Sequence, residues 1–470
     1  MLEYDLLEFI KNYGTFEVKV KSFADGYEPS DDVTVSFSFS GAVIALDGGD
    51  KVKVVKNISG ITAFEVVLDG ESASTIDYDG TEDWRLDLST YSEISKGVHT
   101  LALKATGEGI AENLSNAVRF CTSDCIFGVS GLDGQESLSL TRTDDSVSLS
   151  AIVNADGTVT SDFDGMFPWS LTELVTDELG NEFVGFPEMY FRVGVSEKRH
   201  ITDIAVSPAS HDEGTWYRVA PFYYGRYGGY ASDNKLCSKR GVTRTTSLTR
   251  AGFRTYAANN GDGYSQLDLY HKTVLLFLWL IEFANKDSDG IMTGRVSGSG
   301  TSGGTSIRPC GGTDDILTPS GYEPNYKQMR YHYIEDFLGN TLEFIDGIVG
   351  KSTNAADYVT ADPSLFSDSE ANMEQLAYLN PAVVPSYPVI SAFGWDSDKP
   401  FMVQPIALVN DSAYNTYFAD RAADYSSSYV TLYSGKAYNT NSAYQGISYF
   451  GRRAASSAYT DVGARLIKQN

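Results

Sequence analysis

LDLYHKTVLLFLWLIEFAN, Leu267 to Asn285, is the stretch on which the fold reading turns. Its apolar residues fall on every side at helical spacing, as expected of a helix buried nearly all round. The most apolar run, Val274 to Ile281, is far shorter than the roughly 20 residues that cross a bilayer. Just upstream, Thr245 to Asn259 (TTSLTRAGFRTYAAN) opens on capping hydroxyls and stops at Asn260-Gly261, the marks of a second helix. A Gly/Ser/Thr-rich loop occupies 296–312, and short strand-like segments rich in Tyr, Ser and Gly run from there to the end. Two helices among many short strands predict an α+β domain.

Upstream of these helices the texture differs. Residues 126–165 are polar and turn-rich, and before them lies an internal repeat. Gly14 to Phe37 aligns without gaps on Gly97 to Phe120, keeping Gly14/Gly97, Lys21/Lys104, Gly26/Gly109, Val35/Val118 and Phe37/Phe120. Alternating Phe16, Val18 and Val20, like Leu101 and Leu103, give each first strand one apolar face. Between the copies, turns such as Asp47-Gly48-Gly49 and Asp69-Gly70 separate further short strands, the pattern of an Ig-like sandwich. Only closing strands of a first copy precede residue 38, so the chain is expected to begin inside a module. The expected division is therefore 1–38, a partial Ig/FN3-like module; 39–122, a complete one; and 123–470, the ligand-binding domain.

Composition bounds the function. The 470 residues carry a formal net charge of −26, which opposes nucleic acid and anionic membrane surfaces alike. A hydrophobic share of 42% with 21% charged residues is that of a packed globular protein. The start, MLEYDLLEFIKN, has no basic n-region followed by an apolar run, so no signal peptide is expected and the chain is read as made in a bacterial cytoplasm. Cys121, Cys125, Cys237 and Cys310 form neither a zinc pattern nor a disulfide framework and are expected as reduced thiols.

Seven blocks in order then carry a resemblance. They are LTRTDD (Leu140–Asp145), SDFDGMFPWS (Ser161–Ser170), VTDELGNEFVGFPEMYFRV (Val175–Val193), TRAGFRTYAANNGDGYSQLDLY (Thr249–Tyr270), LLFLWLIEFAN (Leu275–Asn285), MRYHYIEDFLGNTLEFIDGI (Met329–Ile348) and YTDVGARLIK (Tyr459–Lys468). With them, residues 127–470 resemble the variable receptor-binding proteins of phages and prophages, many diversified by retroelements. The resemblance implies a formylglycine-generating-enzyme-type, C-type-lectin-like α+β fold, preceded by all-β Ig-like sandwich modules as spacers. Within these blocks Gly339-Asn340 reads as a turn and Asp346-Gly347 as a hairpin signal. Gly463 and Arg465 would let the last strand re-enter the core. One departure stands out: Tyr438 occupies a position where such relatives carry a tryptophan.

The expected binding face lies near the C-terminus. Residues 411–461 hold nine tyrosines and nine serines, a mixture that gives stiff amphipathic contact area and adaptable hydrogen bonding. The resemblance singles out positions templated by adenine-rich codons: Asn439, Thr440, Asn441, Ala443 and Tyr444 on one loop, and Arg452, Arg453, Ser457, Tyr459 and Asp461 ahead of the end. Tyr425, Ser427 and Tyr429 alternate and as a strand would share a face. Tyr438 and Ser448 complete the set.

Sharper chemistries find little support. A formylglycine-generating oxidase needs a late cysteine pair, and no cysteine follows Cys310. His99, His200, His211, His271 and His332 are scattered, without the spacing of an iron-binding triad. The glycine-rich stretch at 298–312 has neither the lysine nor the strand–loop–helix context of a phosphate loop. Glu323-Pro324-Asn325 matches a calcium-lectin tripeptide, but its partner motif is missing, only Trp395-Asp396-Ser397-Asp398 being present. Acidic pairs such as Asp144/Asp145 and Asp314/Asp315 are expected by chance among 62 acidic residues. The resulting expectation is a non-enzymatic receptor-binding protein of a phage or prophage virion tail, with no metal and no cofactor. Its partners would be a host cell-surface protein or glycan and other tail proteins, with a homo-oligomer such as a trimer as the assembly. Membrane insertion is not expected. The alternatives are a bacterial cell-surface adhesin of the same fold and, disfavoured by cysteine and histidine placement, an enzyme of the formylglycine-generating type.

Overall fold

The computed structural model describes residues 15–20, 33–38, 42–46, 51–56, 60–81, 83–91, 94–106, 114–115, 117–134, 137–294, 296, 307–322, 328–351, 356–378, 388–410, 418, 422–423, 430–435, 446–448 and 450–469. The chain divides into two compact units, Met1–Ser123 and Asp124–Asn470.

In the first unit, Thr15–Val20 and Val33–Ser38 form a two-stranded antiparallel sheet with Phe16 opposite Phe37 and Val18 opposite Val35. The remaining strands make a three-stranded sheet (Val43–Leu46, Lys51–Lys56, Arg85–Asp87) and a four-stranded one (Glu71–Asp77, Ala63–Leu68, Val98–Thr106, Val118–Cys121). Both sheets contribute to one core. Ile44, Val52 and Leu86 come from the first and Phe64, Val66, Leu101, Leu103 and Phe120 from the second. The alternation seen in the sequence is the cause: Val98–Thr106 buries every second residue, which turns Leu101, Leu103 and Ala105 inward.

The second unit overturns the α+β, C-type-lectin-like expectation. Its described residues are gathered into many small sheets, with α-helices only at Arg250–Ala258 (α1), Leu269–Phe283 (α2) and the single turn Ser288–Ile291 (α3). The two helix signals were real, but they account for nine and fifteen residues of a β-rich unit. Thr249 caps α1 by accepting the Gly252 N–H, and Asp268 caps α2 by accepting that of His271. Every residue of α2 except Tyr270 is buried. It touches Phe127–Ser130 and Ile201–Ser207 of one sheet and Leu342–Lys351 of another, so apolar side chains are needed on all its faces.

Three sheets surround these helices. One runs Thr141–Asp144, Phe127–Ser130, Ile201–Ser207, Met189–Val195, Trp216–Val219. A second runs Glu173–Thr176, Glu182–Phe186, Phe222–Gly225, Leu466–Gln469, Tyr264–Gln266. The last strand of the chain therefore does re-enter the interior, between Phe222–Gly225 and Tyr264–Gln266. The third, seven-stranded sheet is built on Leu342–Lys351, which is buried from Leu342 to Gly350. Val430–Gly435 lies against it antiparallel, and Phe450–Ala454 pairs with Val430–Gly435 in turn.

Two turn signals fared differently. Gly339 (φ 106°) and Asn340 (φ 59°) are both left-handed, as that dipeptide suggests. A Cβ at Gly339 would stand 1.9 Å from the Gly294 carbonyl oxygen, so only glycine fits there. Asp346-Gly347, by contrast, is no hairpin. Gly347 (φ 71°) marks an irregularity inside a continuous strand, where the pairing with Val430–Gly435 shifts register between Ile345 and Gly350. The cause is long-range: Arg254 grips the Asp346 carboxylate at 2.7 and 2.9 Å, and Arg250 takes the Ile345 carbonyl at 3.0 Å.

Candidate functional site

The expected binding face falls largely outside the described residues. Tyr425, Ser427, Tyr429, Tyr438, Asn439, Thr440, Asn441, Ala443 and Tyr444 lie there, as do Glu323, Pro324 and Asn325. Arg453 is placed by its backbone, in strand Phe450–Ala454 opposite Thr431. The other members are described, and several are held by the interior. Ser448 is fully buried. Arg452 reaches Asp357, a carboxylate only 2% exposed, at 2.6 Å. Tyr459 is half-buried with its ring 6.3 Å from that of Phe344, and its carbonyl accepts the Ser247 N–H at 2.8 Å. The Asp461 carbonyl accepts the Leu342 N–H at 3.0 Å. Ser457, half-buried, donates its N–H to Ala454 in the turn that follows the strand.

Within Trp395-Asp396-Ser397-Asp398 the Asp396 carboxylate is spent internally. Asp396 is buried and accepts the backbone N–H groups of Ala377 (2.9 Å) and Asp398 (3.1 Å). Among the paired acids, Asp144 meets Arg192 at 3.2 Å, and Asp314 meets Arg226 at 2.8 Å.

A cluster that the sequence reading missed lies under α2. Glu282, the last residue but one of that helix, is fully buried. His332 follows strand Met329–Tyr331 in a left-handed turn (φ 40°) and is 1% exposed. Its backbone N–H is held by the Ser320 hydroxyl at 2.9 Å, and its Nε2 stands 2.8 Å from Glu282 Oε2. Asp164 comes from the 3-10 turn Asp162–Gly165, and its Oδ1 lies 3.9 Å from His332 Nδ1. Ser161 joins two of these segments: its hydroxyl donates to Glu282 Oε1 at 2.8 Å and accepts the Phe163 N–H that caps the turn. Arg142 closes the end of α2 through the Ile281 and Glu282 carbonyls. Trp169 Nε1 donates to the Tyr331 hydroxyl at 3.1 Å, fixing the strand that leads into His332.

The electrostatics follow from burial. Asp164 loses water, and Glu282 adds a like charge, so its carboxyl is pushed up to about 6 despite the nearby imidazole. Its Oδ1 is buried without a hydrogen-bond partner. Burial also drives the Tyr331 phenol far above its ordinary value. Cys310, closed in by the fold, has its thiol pushed up to about 12, and all four cysteines are buried and unbridged.

One open cleft of about 370 Å³ lies elsewhere in this unit, lined by Arg192, Arg199, Asp203, Tyr217 and Trp395 among others. Arg199 is held there at φ 64°, with its carbonyl accepting the Trp395 N–H at 3.0 Å.

No protein-family model matches the chain, and no curated protein does. Among solved structures, PvdO from Pseudomonas aeruginosa aligns over 63% of this chain and 98% of its own, at 12% identity and a TM-score of 0.26. That score is too low to transfer either a fold or an activity.

Proposed function

We propose that the chain is a non-enzymatic ligand-binding protein that recognises a component of a host-cell surface through the Tyr/Ser-rich part of residues 411–461. The observation that carries this reading is where that composition falls. Nine tyrosines and nine serines fall within residues 411–461, of which Val430–Gly435 and Phe450–Ala454 are described as strands. Val430–Gly435 pairs with Leu342–Lys351, buried along nearly its whole length, and Phe450–Ala454 pairs with Val430–Gly435. Adaptable recognition chemistry on a rigid support is the arrangement that binding sites favour. The seven sequence blocks further support a role in a phage or prophage tail.

The described members narrow the face. Arg452, Ser448 and Tyr459 serve the interior, so contact is assigned to Tyr438, Tyr444 and Arg453 with their neighbours. Buried thiols favour binding over nucleophilic catalysis, since a reactive cysteine needs an accessible, acidified thiol. The test is a Tyr438→Ala/Tyr444→Ala/Arg453→Ala variant, fluorescently labelled and titrated onto intact bacterial cells. Anchors of this kind cost about 1–4 kcal/mol each, so the triple variant should lose binding by two orders of magnitude or more at an unchanged melting temperature. Retained binding would move the site elsewhere, with the Arg192/Arg199 cleft the next surface to alter.

A further inference from the structure

We infer that Asp164 and His332 Nδ1, with Glu282 holding the opposite ring nitrogen, form a binding site for one first-row divalent cation of the zinc or manganese type. Donor atoms of the three side chains all lie within 4.8 Å of one another, and Glu282 Oε2 stands on His332 Nε2 at 2.8 Å, which leaves Nδ1 as the ligating atom. Two observations beyond mere proximity point to a ligand. His332 is 1% exposed, and its Nδ1 makes no hydrogen bond among the described residues; it looks across 3.9 Å at Asp164 Oδ1. That oxygen is itself buried and has no hydrogen-bond partner. A gap of 3.9 Å is too long for a hydrogen bond. It is close to the roughly 3.4 Å that separates two ligands, each about 2.1 Å from a shared tetrahedral cation.

The donor set selects the ion. One imidazole nitrogen with a carboxylate and water suits Zn²⁺ or Mn²⁺, whereas Ca²⁺ prefers an all-oxygen shell and Cu⁺ prefers sulfur. Charge argues the same way, since two carboxylates share this buried space with one imidazole and a dication would balance them. The support behind the ligands is already built. The Ser161 hydroxyl on Glu282 Oε1 orients that carboxylate against His332 Nε2, as metal sites require of the outer partner of a ligating imidazole. Asp164, 28% exposed, leaves a route from solvent, while His332 and Glu282 are sealed. A bound ion would cross-link the 3-10 turn and the turn after Met329–Tyr331, with the C-terminal end of α2 braced behind the imidazole through Glu282. This inference does not depend on the proposed ligand-binding face.

The experiment uses the full chain, stripped with chelator and titrated with ZnCl₂ or MnCl₂ alone, read by calorimetry and by the melting temperature. The parent should take up one equivalent saturably and melt about 4 °C or more higher at a hundredfold excess over Kd. Co²⁺ in place of Zn²⁺ should give a visible absorption band from a nitrogen–oxygen ligand field. Asp164→Asn keeps the size and partial exposure of the side chain but removes the anionic ligand; it should weaken uptake about tenfold or more and abolish the melting shift. His332→Gln should do the same. With a net charge of −26, weak binding across the surface will be common to parent and variants. Only the saturable difference between them counts. Equal uptake and equal melting response in parent and Asp164→Asn would overturn the site, as would no saturable uptake at all.

Discussion

Arg465 offers the most stringent test of how the second unit is held together. Its guanidinium is fully buried and spends every donor. Nε and Nη2 reach Glu343 Oε1 at 2.9 and 2.8 Å, Nη1 takes the Gly225 carbonyl at 2.9 Å, and Nη2 takes those of Glu335 (3.0 Å) and Asp336 (3.1 Å). One side chain thus ties the last strand to the second and third sheets and to the Arg330–Asp336 hairpin region. Arg465→Met keeps most of the volume but strands the Glu343 carboxylate and leaves these carbonyls without their donor. Breaking a buried pair from one side costs about 3–5 kcal/mol. Arg244 remains 3.6 Å from Glu343 and offsets part of that, which places the expected loss at about 3–4 kcal/mol. Urea unfolding followed by tryptophan fluorescence reports it directly, because Trp169, Trp216, Trp279 and Trp395 all lie in this unit. If the stranded charge dominates, adding Glu343→Gln should return about 1–2 kcal/mol rather than cost more. A single variant within about 1 kcal/mol of the parent, or strictly additive losses in the pair, would refute the account.

Three further outcomes are expected. Asp164 has its carboxyl raised in the folded chain to about 6, so the stability it contributes is full below the unfolded value near 3.8 and is lost as pH rises through 6. In chelator, Asp164→Asn should therefore gain on the parent by about 1–2 kcal/mol between pH 4 and pH 7.5, after allowance for its partial exposure; a pH-independent difference in urea midpoints would contradict this. The four buried cysteines should resist a thiol reagent at pH 8 in the native chain and all react in denaturant, and rapid native labelling would show the burial to be wrong. Arg452→Ala should destabilise the chain by about 2–4 kcal/mol by taking the guanidinium away from the buried Asp357 carboxylate, whereas an unchanged urea midpoint would return Arg452 to the list of contact residues.

What the sequence could and could not show divides along the range of the interactions. Helix α2 was legible because its apolar residues surround it completely, and both helix starts were marked by local caps at Thr249 and Asp268. The left-handed Gly339-Asn340 turn was equally local. Fold class was misjudged because two strong helical signals outweighed many strands of two to seven residues, each too short to announce itself. Asp346-Gly347 was misread for a related reason: a bulge and a hairpin turn both ask for a left-handed glycine, and only the distant Arg254 decides between them.

The binding residues expose the same limit from the other side. Arg452 and Tyr459 have the chemistry of contact residues, yet a partner 95 positions away in one case and the core around Phe344 in the other draw them inward. Residue type alone cannot separate these uses; register across a sheet does. The Asp164–Glu282–His332 cluster is the converse. Each member sat inside a block already singled out in the sequence, but the 50 positions between Glu282 and His332 hide the pairing until the chain is folded. Because α2 positions the cluster while Leu342–Lys351 supports the Tyr/Ser-rich segment, the two sites draw on different elements. A variant that loses cation uptake but still binds cells, and another with the reverse pattern, would establish that one fold carries both functions independently.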